Sequence, residues 1–306
     1  MSALHQESWF SAVRNRWDES HSPCAQCKYS SLQRMWNAIA GSKRGIRLQG
    51  SRYCGAECFE SAARESLSRA ARSAMATAPG PHRIPLGLLM LSRGQLTREQ
   101  LREAIDAQAA SGEHRLGDWL EKLGFATEEQ VTAALGLQWS CPVLASRAQP
   151  VSACAHMLPY CLLERFRMLP VQFVVQTRTL LVAFCDGIDH TALYSIEQML
   201  DCRTQACVIS HSALEQELER LGREARPNDR LFESWCDPSE MARITSSYAH
   251  KLDAKEVRIA GCGEYIWVRL ETHDEVATLL FRRSIGATTS IGKPARTTIL
   301  STSSIS

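Results

Sequence analysis

The sequence predicts an α+β fold built from several units, and three observations predict it. Four cysteines fall in two close pairs before position 60, a helical pattern repeats at a constant offset between Leu86 and Gln138, and β-rich runs begin only after Arg167. Helices and strands that segregate along the chain belong to the α+β class rather than to an alternating α/β one. The 306 residues, 44% of them apolar and 22% charged, have the balance of a folded chain long enough for two or three domains. A formal net charge of +2 excludes nucleic acid or an anionic membrane surface as a charge-driven partner. No stretch reaches the roughly 18 uninterrupted apolar residues of a spanning helix, and the opening residues lack a basic start followed by an apolar core. A cytoplasmic protein with reduced thiols and no membrane insertion is therefore expected.

The first element is Cys24-x2-Cys27 with Cys54-x3-Cys58, the segment from Lys28 to Tyr53 lying between the pairs. Each short loop aims two sulfurs at one point, so two such pairs suit one tetrahedral zinc; four ordinary buried thiols are the alternative. Gly45 to Tyr53 reads as a hairpin, and Cys54-Gly-Ala-Glu-Cys58 leads into a basic helical run from Phe59 to Ser73. Knuckle, hairpin and helix in this order resemble the treble-clef zinc finger, here residues 1–76. Four protein ligands leave no open position for a substrate water, which makes the zinc structural. His21 could substitute as a ligand, but it reads as a surface residue. The other eight cysteines, at 141, 154, 161, 185, 202, 207, 236 and 262, show no metal-ligand spacing and are expected to pack as small apolar side chains.

Ala78-Pro-Gly-Pro81 reads as a linker, because neither neighbouring helix can continue through it. Beyond it, Leu86–Gln108 aligns with Leu116–Gln138, and eight of the 23 positions are identical: Leu86/Leu116, Gly87/Gly117, Gly94/Gly124, Thr97/Thr127, Glu99/Glu129, Gln100/Gln130, Ala104/Ala134 and Gln108/Gln138. Each copy reads as a short helix that opens at Leu-Gly, stops at the second Gly, and restarts at a Thr-x-x-Gln capping box. Two such hairpins pack by pseudo-symmetry with Leu101, Ile105, Val131 and Leu135 inward.

Met168–Val175 and Thr179–Phe184 then read as strands of a hairpin or as neighbours in a sheet, Thr191–Leu200 as a helix, Gln205–Ile209 as a strand, and Ser212–Leu221 as a helix with a Ser N-cap. They complete a unit over 84–222. After the polar linker 223–229, Glu256–Ala260, Tyr265–Leu270 and Val276–Phe281 suggest three antiparallel strands in a small α+β module over 230–283. Residues 284–306 hold 11 Ser or Thr and no acid, the composition of a flexible tail.

The repeat resembles the two long motifs of the MshE-type N-terminal domain of type II secretion and type IV pilus assembly ATPases, a domain known as a cyclic di-GMP receptor. Arg115-Leu116-Gly117-Asp118, Gly124 and Gln138 match the second motif, and Leu86-Gly87, Gly94 and Gln108 the first, with Pro85 where an Arg belongs. Met157-Leu-Pro, Arg167-Met-Leu-Pro170 and Leu180–Asp186 extend the similarity over residues 84–221. The resemblance implies a ligand site formed by Leu86, Gly87, Leu101, Ile105, Gln108, Arg115, Leu116, Gly117, Asp118, Val131 and Leu135. Arginine suits a ligand with guanine edges and phosphates, while aliphatic side chains flank its bases.

Leu252–Leu270 weakly resembles the small domain preceding the motor in the same ATPases, and no site is carried over from it. The nearest approach to a phosphate loop, Gly286 to Lys293, has one residue too many and Pro294 in place of the hydroxyl. The sequence thus reads as a non-enzymatic sensor or adaptor holding structural zinc and cyclic di-GMP, with a secretion or pilus assembly component as partner. A ligand-free docking adaptor, favoured by Pro85, is the alternative.

Overall fold

The computed structural model describes residues 24–27, 45–72, 83–112, 115–144, 152–224, 228–234 and 236–283; His21, the 78–81 linker and the 284–306 tail lie outside them. The hairpin expected after the first cysteine pair forms from β1 (Ile46–Leu48) and β2 (Ser51–Tyr53), turning at Gln49 and Gly50 with φ of 51° and 81°. Helix α1 (Ala56–Arg72) follows at once and buries Phe59, Ala62, Ala63 and Leu67 along one face.

In the repeat, α2 (Leu86–Ser92) and α3 (Arg98–Ser111) form the first hairpin, α4 (Leu116–Lys122) and α5 (Glu128–Trp139) the second. Gly94 and Gly124 stop α2 and α4 by taking φ of 69° and 71°, a region that costs other residues strain. Thr97 and Thr127 restart the chain as capping boxes. Each Thr hydroxyl accepts from the Gln100 or Gln130 amide, and each Gln Oε1 accepts from the Thr N–H at 2.9 Å. The buried pairs Met90/Leu120, Leu96/Ala126, Leu101/Val131 and Ala104/Ala134 all keep the spacing of Leu86 to Leu116, so the offset seen in sequence is the symmetry of the core.

Ile105 departs from the expected inward position and is 47% exposed, whereas its mate Leu135 packs partly buried on the core. Behind α5 the chain folds back so closely that a Cβ on Gly136 would meet Val143 and Cys141. Asp106 holds the equivalent place in the first copy, and its side chain denies that approach.

The next unit runs α6 (Ser152–Ala155), α7 (Tyr160–Arg165), β3 (Met168–Val174), β4 (Thr179–Phe184), α8 (His190–Leu200), β5 (Arg203–Val208) and α9 (His211–Gly222). β3 and β4 are an antiparallel hairpin, and α8 carries the chain across so that β5 lies parallel to β4. Residues 142–144 lie along the far side of β5, Leu144 N–H donating to Val208 O at 2.7 Å. The N-cap of α9 is Ser210 rather than Ser212: its side chain accepts from the Ala213 amide, which leaves Ser212 inside the first turn.

The three antiparallel strands expected near the C-terminus are β7 (Glu256–Cys262), β8 (Tyr265–Glu271) and β9 (Val276–Arg282), preceded by β6 (Asp229–Phe232) and α10 (Pro238–Lys251). They belong to a larger sheet of order β2-β1-β7-β8-β9-β6. The sequence reading sets residues 1–76 apart from 230–283. In the structure β1 pairs in parallel with β7, and one core joins Ile46, Leu48, Phe59 and Leu67 to Met241, Val257, Ile259, Ile266, Val268 and Leu279. A finger this small cannot bury its own apolar face, and the sheet edge of β7 supplies the missing surface. Strand alternation completes the layering: Ala260, Cys262, Trp267 and Leu280 point to the opposite face and join the core of the β3–β5 unit.

Candidate ligand-binding and metal sites

The structure gathers most residues of the expected ligand site at the hairpin junction. A Cβ on Gly87 would stand 2.4 Å from Leu101 Cδ1 and 3.0 Å from Leu116 Cδ2; one on Gly117 would stand 2.9 Å from Val131 Cγ1 and 3.8 Å from Leu86 Cδ2. The two glycines thus let α2 and α4 press against the second helix of their own hairpins, with the first leucine of the other hairpin next nearest, a packing role that sequence reasoning does not give them. Gln138, closing the second copy, donates to the Ile84 carbonyl at 2.6 Å and ties the end of the repeat to its start. Gln108 is partly buried, and Ile105 stands on the surface with Ile84, Leu88 and Leu137 as exposed aliphatic groups.

Arg115 caps α4, and its N–H donates to Asp118 Oδ2 at 3.1 Å. Pro85 caps α2 with no N–H to satisfy, and Leu88 stands where Asp118 stands in the second copy. The guanidinium of Arg115 hydrogen-bonds the Asp186 carbonyl and lies 3.4 Å from its Oδ1, with 59% of the side chain exposed. Nearby, Glu128 accepts from both the amide and hydroxyl of Ser212 at 2.6 Å. Two polar links therefore run from the second hairpin to the β3–β5 unit. Their counterparts in the first copy are Pro85 and Arg98, which cannot form them. The Glu121 carboxyl is raised above its ordinary pKa by burial and by Glu128 and Asp118 beside it.

Asp186 is a residue that sequence reasoning quotes without a role, and it is the centre of a further network. Its Oδ2 faces Arg167 Nε at 3.5 Å, and Arg167 pairs in turn with Glu215. No spacing rule links it to Arg115, 71 positions away.

The four expected zinc ligands converge. Cys24, Cys27, Cys54 and Cys58 have Sγ atoms within 4.8 Å of one another, at 3.3 Å for Cys27 to Cys54 and 3.8 Å for Cys54 to Cys58. Thiolates about 2.3 Å from a tetrahedral zinc stand about 3.8 Å apart, so the residues present fit the ion. Cys54 precedes α1 and Cys58 lies in its first turn, while Ala25 N–H donates to Arg52 O and pins the knuckle to the hairpin. Burial alone would raise the Cys24 thiol, but amides of Cys27, Cys54 and Gln26 outweigh it and lower the pKa to about 6. Burial and then Cys27 push Cys58 up to about 11, and Cys54 is raised as well. Cys24 forms a thiolate while Cys54 and Cys58 keep their protons, the behaviour of a sulfur cluster that needs a cation to ionise fully.

No helix among the described residues is long and apolar enough to cross a membrane. No protein-family profile and no curated protein matches the chain. Solved structures do. A structure of MshE with cdg is 30% identical, covering 45% of this chain and 99% of its own, with a TM-score of 0.39. Two crystal forms of the N-terminal domain of XpsE are 20% and 22% identical, covering 44% and 43% of this chain and 92% and 90% of theirs, with TM-scores of 0.34 and 0.28. The repeat motifs around Arg115, read with 30% identity over essentially the whole of the MshE domain, place this chain in the family of MshE-type N-terminal domains of secretion and pilus ATPases.

Proposed function

We propose that the protein is a non-enzymatic cytoplasmic sensor or adaptor that binds cyclic di-GMP across the tandem hairpins and holds one structural zinc at Cys24, Cys27, Cys54 and Cys58. The observation that carries the ligand reading is Arg115: it stands at the head of the second motif with its guanidinium largely exposed, beside a pair of hairpins whose aliphatic face includes Ile105. MshE, 30% identical, was solved with cdg, the same class of ligand. Arg115 supplies charge and hydrogen bonds to a phosphate or a guanine edge, Gln108 and Asp118 polar contacts, and the Leu and Ile side chains flank the bases. When bound, zinc would fix the knuckle to the first turn of α1 and so hold the finger's hairpin on β7.

Calorimetry with cyclic di-GMP tests the reading. Arg115→Ala should weaken binding about tenfold to a hundredfold, the worth of one charge-assisted contact of roughly 1.5–3 kcal/mol. Pro85→Arg should tighten it. Absence of heat for both the wild type and Pro85→Arg at ligand concentrations well above micromolar would leave the second reading, a docking adaptor for a secretion or pilus component, which the loss of the first Arg to Pro85 favours.

A further inference from the structure

Outside the four-cysteine cluster, the described residues bring one other set of metal-ligating side chains together: Cys185, Asp186 and His211, whose ligand atoms lie within 4.8 Å of one another. Cys185 and Asp186 follow the end of β4 directly, and His211 opens α9, so a strand end and a helix start bring the three together. His211 Nδ1 is 3.9 Å from Cys185 Sγ and 3.9 Å from Asp186 Oδ1. Donors sharing a tetrahedral zinc at about 2.0–2.3 Å stand roughly 3.3–3.7 Å apart, so each of the two distances from His211 Nδ1 needs to close by only a few tenths of an ångström.

A second observation points the same way. The other ring nitrogen of His211, Nε2, faces Glu215 Oε1 at 3.7 Å, one turn along α9. A carboxylate behind the imidazole is the usual support of a metal-ligating histidine, because it fixes which nitrogen carries the proton and leaves the other free to ligate. Glu215 Oε1 stands beyond hydrogen-bond distance and also pairs with Arg167, so the support is electrostatic, and the nitrogen turned toward the thiol and Asp186 is Nδ1. Two guanidinium groups flank the site: Arg167 Nη2 is 3.5 Å from Nδ1, and Arg115 Nη1 is 3.4 Å from Asp186 Oδ1. They are the cations an incoming ion must displace from these atoms, and both retain carboxylate or carbonyl partners, Arg167 on Glu215 and Arg115 on the Asp186 carbonyl.

We propose that Cys185, Asp186 and His211 form a second transition-metal site, ligated by one sulfur, one oxygen and one nitrogen and suited to a borderline ion such as Zn2+, with its fourth position open to water. Glu215 is a positioning residue that orients His211. The site is built without any residue of the finger, so it loads independently of the four cysteines.

Equilibrium dialysis of the full chain against Zn2+, with Co2+ as a spectroscopic probe, tests it. The wild type should bind one equivalent more than either Cys185→Ser or His211→Ala, and its Co2+ spectrum should lose one thiolate charge-transfer contribution in both variants. Glu215→Gln should keep the equivalent at about 10–100-fold weaker affinity, the cost usual for an outer partner. His211 is more than half exposed, so His211→Ala tests the site even if the buried Cys185→Ser variant misfolds. A zinc count in His211→Ala equal to that of the wild type would overturn the proposal and leave the cluster as an ion-pair network.

Discussion

Leu67→Ala asks whether the two ends of the chain are one folding unit. Leu67 lies on the inner face of α1 with no accessible surface, in the core that also contains Met241, Val257 and Ile259. Truncating a fully buried Leu costs about 2–5 kcal/mol through lost transfer energy and the cavity left behind; taking about 3 kcal/mol, opening of the unit becomes roughly 150 times more frequent. If β1 and α1 share their stability with β7, amide exchange should accelerate by a similar factor in 45–72 and in the distant segment 256–271. The hairpins, with their own core around Met90 and Leu120, should keep their protection. Hydrogen exchange read by mass spectrometry resolves these peptides. Acceleration confined to 45–72, with the strand Glu256–Cys262 unchanged, would refute the shared core and restore the finger as an independent unit.

The remaining predictions are more local. In metal-free protein at pH 7, Cys24 is above its pKa of about 6 and is a thiolate, whereas Cys58 keeps its proton up to about 11; iodoacetamide should therefore label Cys24 well before Cys58, as peptide mapping would show. Thr127→Ala removes the hydroxyl that accepts from the Gln130 amide and should cost about 1 kcal/mol, seen as a drop of a few degrees in Tm. Gly87→Ala drives a methyl to 2.4 Å from Leu101 Cδ1, and overpacking of about 1–3 kcal/mol should outweigh a helix-propensity gain of at most about 1 kcal/mol; an unchanged or raised Tm would show that the glycine is not there for packing.

What could be read in the sequence is what local rules encode. The stop glycines, the two Thr-x-x-Gln caps and the constant offset gave the hairpins nearly to the residue, because capping and periodicity act within a few positions of the chain. The strands at 168–174, 179–184, 256–262, 265–271 and 276–282 were legible for the same reason, through β-branched content and turns. The union of the finger with the last module was not. β1 meets β7 through bonds such as Gln49 N–H to Val257 O, and Gln49 Nε2 to Ile259 O across 210 positions, and nothing in either segment names its partner. Ile105 was misplaced by the same limit: its helical spacing is right, and its exposure depends on whether the chain folds back over that turn.

At the candidate site, the repeat symmetry that sequence makes obvious is broken where it matters. The second hairpin commits Arg115 and Glu128 to the β3–β5 unit, while Pro85 and Arg98 at the matching places make no such contacts, so the two halves of a symmetric dinucleotide would meet different chemistry. One half would face an arginine already held by Asp186, the other a proline. Freeing Arg115 costs little: a pair with 59% of the arginine side chain exposed is worth at most about 1 kcal/mol, or about fivefold in affinity. A bidentate contact to phosphate or guanine is worth more than that, so the latch would lower affinity for such a ligand without preventing binding. Binding there would be coupled to the junction: a ligand that takes Arg115 would remove one side-chain link between the hairpins and the β3–β5 unit and leave the Glu128–Ser212 link in place. A domain with arginine at both positions would not need that exchange, so under the proposed ligand reading the asymmetry between residues 85 and 115 is the feature that would separate a coupled sensor from a simple receptor.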